Sequence, residues 1–543
     1  MRGLDVVQMF VALGAVTACS ADISSDLERP SAITGSDAAT ALCAAAPLPS
    51  DTSWVQPGYT VRQNRRWFLK EDAPLVGPAP NLELEFSEPA EMEPFWTTVS
   101  CVRGYLQPQG GGALIPVGVA AVAAGSSLLH QVSFALNVEA RQPGRYDLLI
   151  VAGDQTTTFE RVPVNISAPL YMIMSVDWDL PTYGGSNGAL LAALDAMRAR
   201  AGASQLWMTH YVGAYMFDGV RGDARDLDIH RWLLDAQYGA GDEIGVHVHG
   251  WVNELMNMTA LPQCCRTNSC SNVGTSTQCS GPPNPQCCDD DSCAPGTTCQ
   301  TIPARVSAEN VWQAGADEGG YSTILERYSR PELVALLDYS SRVLVKHGFV
   351  QPRSFRAGGW SGGQNLLGAL AATGSYSLSG GTLLRSASEQ GFLTDSSSVW
   401  STPLLGAPGL YQFLSSPQSL SSNYGGDVMP EAPPYEWSDS AGRRVLEVPD
   451  NGVLLDYRTY EQAVADTYQL YDGTPLSRVK VYHYGLHPHT FSVPELQVRM
   501  GQTIDALNSI SYLLDAGPAI WTSPLRLAWR TAAYSAEPVP KVR

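Results

Sequence analysis

The chain has 543 residues, with 34 basic and 53 acidic side chains and a formal net charge of −19. Nucleic acid and anionic membrane surfaces repel so acidic a protein, which argues against both as partners. The length suits two or three domains, and the 50 glycines and 37 prolines indicate many loops and turns.

The first 19 residues have the features of an export signal. Arg2 precedes an apolar run from Val6 to Ala18, which is too short to span a bilayer, and Cys19 follows directly. Small residues before a cysteine are typical of a bacterial lipoprotein signal, so we predict a signal peptide over 1–18 and lipidation of Cys19. Residues 19–44 would then be a lipid-anchored linker. Ordinary cleavage nearby, with loss of Cys19, is the alternative, and both predict export to the cell envelope.

Residues 45–167 have the alternating sequence pattern of an antiparallel β domain. The segment LELEF, residues 82–86, alternates apolar and charged residues, and VSFALNVEA, residues 132–140, does the same. Apolar strand patterns follow at 146–153 and 156–166, separated by turn residues at short spacing. This pattern predicts an immunoglobulin-like β-sandwich, which either binds glycan or only spaces the following domain from the membrane.

Strand and helix patterns alternate from Pro169 onward. An apolar strand pattern spans Tyr171 to Asp179, a helix is predicted over Ala189–Ala201, a strand over Gln205–Thr209 and a second helix over Leu227–Gln237. Later come a helix that starts at the cap Ser329, with Glu332 completing a capping box, and ends at His347 and Gly348. Further strands are predicted at 354–356, 445–449 and 479–486. Alternation on this scale predicts an α/β fold with parallel strands.

Eight of the eleven cysteines cluster between Cys264 and Cys299. An exported protein forms disulfides, and the vicinal Cys pairs among Ser, Thr, Pro and Gly favour a disulfide-rich insertion over 262–302. A metal cluster is the alternative reading. With Cys19 lipidated, Cys43 and Cys101 remain and can pair with each other.

Polar side chains end two of the predicted strands. Asp177 and Asp179 close the first, and His247 and His249 close the strand that begins near Ile244. Catalytic residues of parallel barrels gather at this end of the strands. Carboxylate and imidazole groups bind Zn²⁺, and three such ligands leave one coordination position open for water.

Four segments in order resemble the motifs of the polysaccharide deacetylases, the NodB-homology or family 4 carbohydrate esterases. They are SVDWD at 175–179, EIGVHVHGW at 243–251, FRAGGW at 355–360 and YGLHPH at 484–489. The resemblance implies a distorted (β/α) barrel over 169–530 and metal-dependent removal of N-acetyl groups from a cell-wall or extracellular polysaccharide. Two features depart from the family: Trp178 separates the usually adjacent aspartates, and the two histidines are closer together than usual.

The resemblance also implies roles for individual residues. Asp179, His247 and His249 would bind a divalent metal such as Zn²⁺, and Asp177, oriented by Arg356, would act as the base. The reverse assignment of the two aspartates stays open. His487 would be the acid that protonates the leaving amine, with His483 and His489 as rivals. The candidates for the walls of a sugar groove are Trp251, Trp360 and Tyr435.

Two other functions fit the same residues. Fold does not determine function, so the chain can be a catalytically impaired, glycan-binding surface lipoprotein. It can also hydrolyse another non-peptide C–N bond on the same scaffold.

Overall fold

The structure is a computed structural model of the full chain. It describes residues 43, 48–49, 60–70, 81–87, 99–126, 129–153, 158–178, 187–217, 227–248, 311–313, 322–323, 325, 329–358, 364–373, 376–379, 382–385, 394–395, 434–438, 440–455, 459–488 and 493–528. Among these residues, no helix is both long enough and apolar enough to cross a membrane.

The first nine strands belong to the N-terminal part of the chain. They are β1 (Thr60–Gln63), β2 (Trp67–Leu69), β3 (Leu82–Ser87), β4 (Cys101–Pro108), β5 (Ile115–Ala121), β6 (Ala123–Ser126), β7 (Leu129–Phe134), β8 (Gly144–Ala152) and β9 (Thr158–Ser167).

Strands and helices alternate in the rest of the chain. The strands are β10 (Leu170–Trp178), β11 (Met208–Val212), β12 (Glu243–Val248), β13 (Val311–Gln313), β14 (Ser322–Thr323), β15 (Ser354–Ala357), β16 (Tyr376–Ser379), β17 (Thr382–Arg385), β18 (Thr394–Asp395), β19 (Tyr435–Ser438), β20 (Arg444–Glu447), β21 (Val453–Leu454), β22 (Lys480–Leu486) and β23 (Ala519–Thr522). The helices are α1 (Asn187–Ala201), α2 (Leu227–Asp235), α3 (Arg330–Lys346), α4 (Gln364–Thr373), α5 (Tyr460–Leu470) and α6 (Pro494–Asn508).

Two sheets form the N-terminal part. One has the strand order β1-β3-β7-β6 and the other β2-β9-β8-β4-β5. Alternation buries Leu82, Leu84 and Phe86 of β3 in one apolar cluster with Leu148 and Ile150 of β8. The two sheets therefore share a core. Their assignment to an immunoglobulin-like β-sandwich stays a prediction.

A ten-stranded sheet, parallel except for the β19–β20 pair, organises the rest. Its order is β19-β20-β18-β15-β12-β11-β10-β22-β21, with β23 also paired to β10. Every residue of β10 is buried, as expected of a parallel strand covered on both faces. Side chains of β15 contact those of β10 and β22, which lie several strands away, so the sheet curls. The chain is thus a mixed α/β protein whose curled sheet is compatible with a distorted barrel.

The three predicted helices are present as α1, α2 and α3, whereas α4, α5 and α6 were not predicted. Helix α1 buries the predicted stripe of Leu190, Leu191, Leu194 and Met197. The capping box between Ser329 and Glu332 is present at the start of α3. His347 caps its C-terminal end, and Gly348 takes a φ of +94°, a left-handed conformation that glycine adopts without a steric cost.

Three element boundaries differ from the predictions. Strand β11 starts at Met208, so His210 lies inside the strand instead of after it. Strand β7 ends at Phe134 and does not continue to residue 140. Helix α2 ends at Asp235, and one π-helical turn follows over 236–240. Boundaries are set by tertiary hydrogen bonds that local patterns do not encode.

The N-terminal sheets are bound directly to the curled sheet's domain. The carboxylate of Asp515 accepts the backbone N–H groups of Arg66 and Trp67 at 2.8–2.9 Å. The guanidinium of Arg65 lies 4.0 Å from the ring centroid of Tyr512, and the side chain of Trp67 packs into the larger core. These contacts join the N-terminal sheets to the larger core, and the role of this domain as a spacer or a glycan-binding domain stays a prediction.

One disulfide, between Cys43 and Cys101, lies among the described residues, as the cysteine count predicts. The eight clustered cysteines and the lipidation residue Cys19 lie outside the described residues.

Candidate functional site

A buried ion pair marks the candidate site on the inner face of the curled sheet. Nη1 of Arg356, on β15, donates to both carboxylate oxygens of Asp177, on β10, at 2.9 and 3.1 Å. Arg356 is completely buried and Asp177 is 4% exposed. The pair that the sequence resemblance implies is therefore present in the structure.

Asp450 is a second carboxylate on the same guanidinium. Its Oδ2 lies 3.3 Å from Nη2 of Arg356, and the Cζ of Arg356 lies 4.6 Å from the ring centroid of Tyr211. Burial opposes the charge of Arg356, but the attraction of Asp177 and Asp450 outweighs it and raises the pKa of Arg356 above its usual range. Arg356 is thus held permanently charged, between two carboxylates and against an aromatic ring.

His483, on β22, completes the surroundings of Arg356. Its Nε2 lies 2.9 Å from Nη2 of Arg356 and 3.1 Å from Oγ of Ser175. A guanidinium can only donate, so Nε2 accepts and carries no proton. Burial and the charge of Arg356 hold the pKa of His483 well below its usual range. His483 is therefore a neutral acceptor that orients Arg356.

The segment that follows β20, residues 450–452, is hydrogen-bonded to β22 around His483. Asn451 accepts the backbone N–H of His483 and donates to the carbonyl of Val481, both at 2.9 Å. The N–H of Gly452 donates to the carbonyl of His483 at 2.6 Å. A Cβ on Gly452 would lie 2.6 Å from that carbonyl oxygen, so only glycine fits. This packing places Asp450 beside Arg356.

His247, on β12, is linked to the same arginine through the backbone. Its Nδ1 donates to the carbonyl oxygen of Arg356 at 3.1 Å, and the two residues are register partners in the sheet. A carbonyl can only accept, so Nδ1 of His247 donates this hydrogen bond. Metal-binding histidines are oriented in this way.

His487 lies just beyond the end of β22. The last register pair of β10 and β22 is Val176 with Leu486, and Asp177 and His487 are the next residues along the two strands. His487 is half-buried. His483 lies inside β22, which is buried from Val481 to Leu486, whereas His487 lies one residue beyond the strand end, so the two histidines occupy different environments.

The remaining predicted site residues are not described. Asp179, His249, Trp251, Trp360 and the rival His489 lie outside the described residues, and Tyr435 begins β19. Among the residues that the structure describes, no three His, Cys, Asp or Glu side chains form a group able to hold a metal ion. The metal assignment to Asp179, His247 and His249 therefore stays a prediction.

The described residues near Arg356 include carboxylate and imidazole side chains, which are ligand types that Zn²⁺ accepts. The carboxyl groups of Asp177 and Asp450 share the single buried guanidinium of Arg356. A divalent cation beside this cluster could be bound by the imidazole.

Sequence reasoning missed Asp450, Ser175 and Tyr211, and it ranked His483 below His487. A signal for Asp450 was present, because Asp450, Asn451 and Gly452 follow a predicted strand as a turn sequence with a carboxylate. Nothing local identified Ser175 or Tyr211. Their proximity to Arg356 and His483 arises from the curl of the sheet.

No protein family model matches the chain, and no curated protein matches it. Among solved structures, the chain is similar to a family 39 glycoside hydrolase from the gut symbiont Bacteroides cellulosilyticus. That match covers 30% of this chain and 31% of the other, at 11% identity and a TM-score of 0.12. The chain is also similar to chitinase ChiW from Paenibacillus, over 84% of this chain and 43% of the other, at 8% identity and a TM-score of 0.23. The chain spans less than half the length of either protein, and likeness at this level carries no argument about function.

Proposed function

We propose that the chain is a metal-dependent hydrolase that removes N-acetyl groups from a cell-wall or extracellular polysaccharide. The supporting observation is the buried Arg356, which holds Asp177 through its guanidinium and His247 through its carbonyl. A carboxylate of β10 and an imidazole of β12, strands separated by β11, are thereby both linked to Arg356 near the carboxyl ends of the parallel strands, where such sites form. The scaffold would be a deacetylase-type distorted barrel.

Each described residue has a role in this proposal. Asp177, oriented by the guanidinium of Arg356, takes a proton from the attacking water. His487, half-buried at the end of β22, gives a proton to the departing amine. His483 is unsuited to that task, because its lowered pKa keeps it unprotonated near neutral pH. Asp179, His247 and His249 would hold the cation, which when bound polarises the acyl carbonyl and acidifies water.

Metal analysis and acetate release test this proposal together. The purified protein should contain about one equivalent of a divalent metal, as a three-ligand site predicts. It should also release acetate from N-acetylated glycans. His249→Ala should lose both metal and activity. Asp177→Asn should keep the metal and lose roughly 10²–10⁴-fold in rate, because only the base is removed.

Asp179→Asn, measured beside Asp177→Asn, decides which aspartate is the ligand. Loss of metal from Asp179→Asn alone supports the assignment, and loss from Asp177→Asn alone reverses it. If both variants keep full metal and full activity, the deacetylase proposal is wrong.

A groove on the N-terminal four-stranded sheet favours glycan binding as a second candidate function. Its cavity of about 460 Å³ is within the usual size range of small-ligand sites. Its lining includes Arg62, Glu83, Glu85, Gln131 and Ser133, whose polar groups can hydrogen-bond sugar hydroxyls.

The variant Arg62→Ala/Glu85→Ala tests the groove directly. It should lose retention on insoluble polysaccharide yet keep full acetate release from a soluble substrate. Gln109→Ala, a change at an exposed residue after β4, is the control. Equal retention of both variants would exclude the groove as a glycan site.

A further inference from the structure

Trp178, the residue that separates the two aspartates, belongs to a hydrogen-bond chain on the far side of the sheet. Its indole Nε1–H donates to Nδ1 of His210 at 3.2 Å, and Nε2 of His210 lies 3.0 Å from Oδ2 of Asp242. Asp242 also binds Arg198 of α1 and accepts the backbone N–H of Met208 at 3.1 Å. Trp178 and His210 are completely buried.

The donor and acceptor in each of these hydrogen bonds follow from the chemistry of Trp178 and Asp242, the two side chains that flank His210. An indole can only donate, so Nδ1 of His210 accepts and carries no proton. Oδ2 of Asp242 also accepts from the guanidinium of Arg198, so it acts as an acceptor here and Nε2 of His210 donates to it. One tautomer of His210 satisfies both partners. The side chain of Trp178 is therefore held in one place, behind β10.

Strand geometry connects this chain to the site. Successive side chains of a strand point to opposite faces, so a Trp178 held on the helix-facing side directs Asp177 to the inner face. There Asp177 meets Arg356. A small rotation of the strand end at Trp178 would turn Asp177 away from Arg356. The inserted tryptophan thus supplies a second anchor, where the family pattern has adjacent aspartates.

We propose that Trp178, His210 and Asp242 form a positioning chain that aims Asp177 and its neighbouring strand end at the proposed metal site. This inference rests on the proposed function for its metal-binding consequence. Its geometric consequence, the placement of Asp177 against Arg356, does not depend on any activity. None of the three residues is itself catalytic.

Trp178→Phe is the test variant, because it keeps an aromatic ring and removes the indole donor. Trp232→Phe is its matched control. Trp232 lies in the same layer, 6.1 Å from Trp178 between ring centroids, and its indole donates to Asp195 at 3.0 Å. The control variant Trp232→Phe therefore removes an indole hydrogen bond from a residue that is not part of β10.

Two measurements on the intact protein test whether Trp178 positions Asp177: zinc affinity and the exchange of the Arg356 guanidinium protons. Zinc affinity by chelator competition should fall roughly 10–100-fold in Trp178→Phe, as when groups that orient metal ligands are lost. It should change less than about threefold in Trp232→Phe. In the metal-free protein, the ¹⁵N-labelled guanidinium protons of Arg356 should exchange with solvent faster in Trp178→Phe than in the wild type or Trp232→Phe.

Each result has a distinct meaning. Equal Arg356 exchange rates in the three proteins, or equal zinc losses in the two variants, would overturn the positioning chain. A wild-type protein that binds no zinc would contradict the proposed function. In that case the Arg356 exchange rates alone would support or overturn the positioning chain of Trp178, His210 and Asp242.

Discussion

Arg356 is the residue on which the inner face of the sheet depends most. It is buried between Asp177 and Asp450, and it donates to His483. We predict that Arg356→Met lowers the free energy of unfolding by about 3–5 kcal/mol, because two buried carboxylates lose their counter-charge. Urea unfolding at neutral pH measures this change.

Asp450→Asn provides the control for that prediction. Combined with Arg356→Met, it removes one of the two orphaned charges and should recover part of the lost stability. A single Arg356→Met variant within about 1 kcal/mol of the wild type would contradict a buried, charge-paired arginine.

His483 should make the stability of the protein depend on pH. Its pKa in the folded state lies well below that of the unfolded chain, so the unfolded state binds the proton more readily. The stability that neutral His483 contributes is fully present above about pH 6.5 and is lost as the pH falls below that value. The slope is at most about 1.4 kcal/mol per pH unit.

Urea unfolding of the wild type and His483→Gln at pH 7.5, 6.5 and 5.5 measures this effect. The stability of the wild type should fall more steeply between pH 6.5 and 5.5 than that of the variant, because glutamine does not titrate. Parallel curves for the two proteins would show that His483 is not buried in its neutral form.

At the scale of elements, Asp515 joins β2 to the larger core. Its carboxylate accepts the N–H groups of Arg66 and Trp67, and its own φ is +54°. We predict that Asp515→Ala lowers the free energy of unfolding by about 1–3 kcal/mol, since the acceptors disappear and alanine is strained at positive φ. Thermal unfolding, with hydrogen exchange at Arg66 and Trp67, measures the loss.

Asp515→Gly separates the two causes. Glycine tolerates positive φ but supplies no acceptor. The decrease in the free energy of unfolding of Asp515→Gly therefore measures the contribution of the hydrogen bonds alone. Exchange at Arg66 and Trp67 should accelerate in both variants. Unchanged exchange in both would mean that Asp515 does not hold the two units together.

At the scale of the whole molecule, Cys19 is the residue that we predict to anchor the protein to the membrane. The residues before it have the pattern of a lipoprotein signal. We predict that Cys19→Ala moves the protein from the membrane fraction to the soluble exported fraction, because no other membrane contact is expected. Fractionation with mass spectrometry of the N-terminus tests this, and unchanged fractionation with no lipid on the wild type contradicts it.

The cysteines give a second prediction at this scale. The mature protein should have no free thiols, because Cys43 pairs with Cys101 and the eight cysteines from Cys264 to Cys299 are expected to pair among themselves. Thiol counting under denaturing, non-reducing conditions measures this. Several free thiols, or zinc bound by the cluster, would overturn the disulfide interpretation.

Local patterns in the sequence determined most of the elements. The apolar stripe of α1, the capping box at Ser329, the alternation in β3 and the continuous apolar run of β10 all depend on residues a few positions apart. Such patterns depend only on residues within a short segment, so they can be recognised in the sequence without knowledge of the tertiary structure. The placement of Asp177 at the end of a buried strand belongs to the same class.

Only the tertiary structure decided which of these residues meet. Arg356 and Asp177 are 179 positions apart, and they touch because the sheet curls. The curl also brings His483 and Asp450 to the same guanidinium, and alternation along β10 sends Trp178 to His210 on the other face. These contacts depend on strand order and register, which arise from the packing of the whole chain and are not encoded in any one segment.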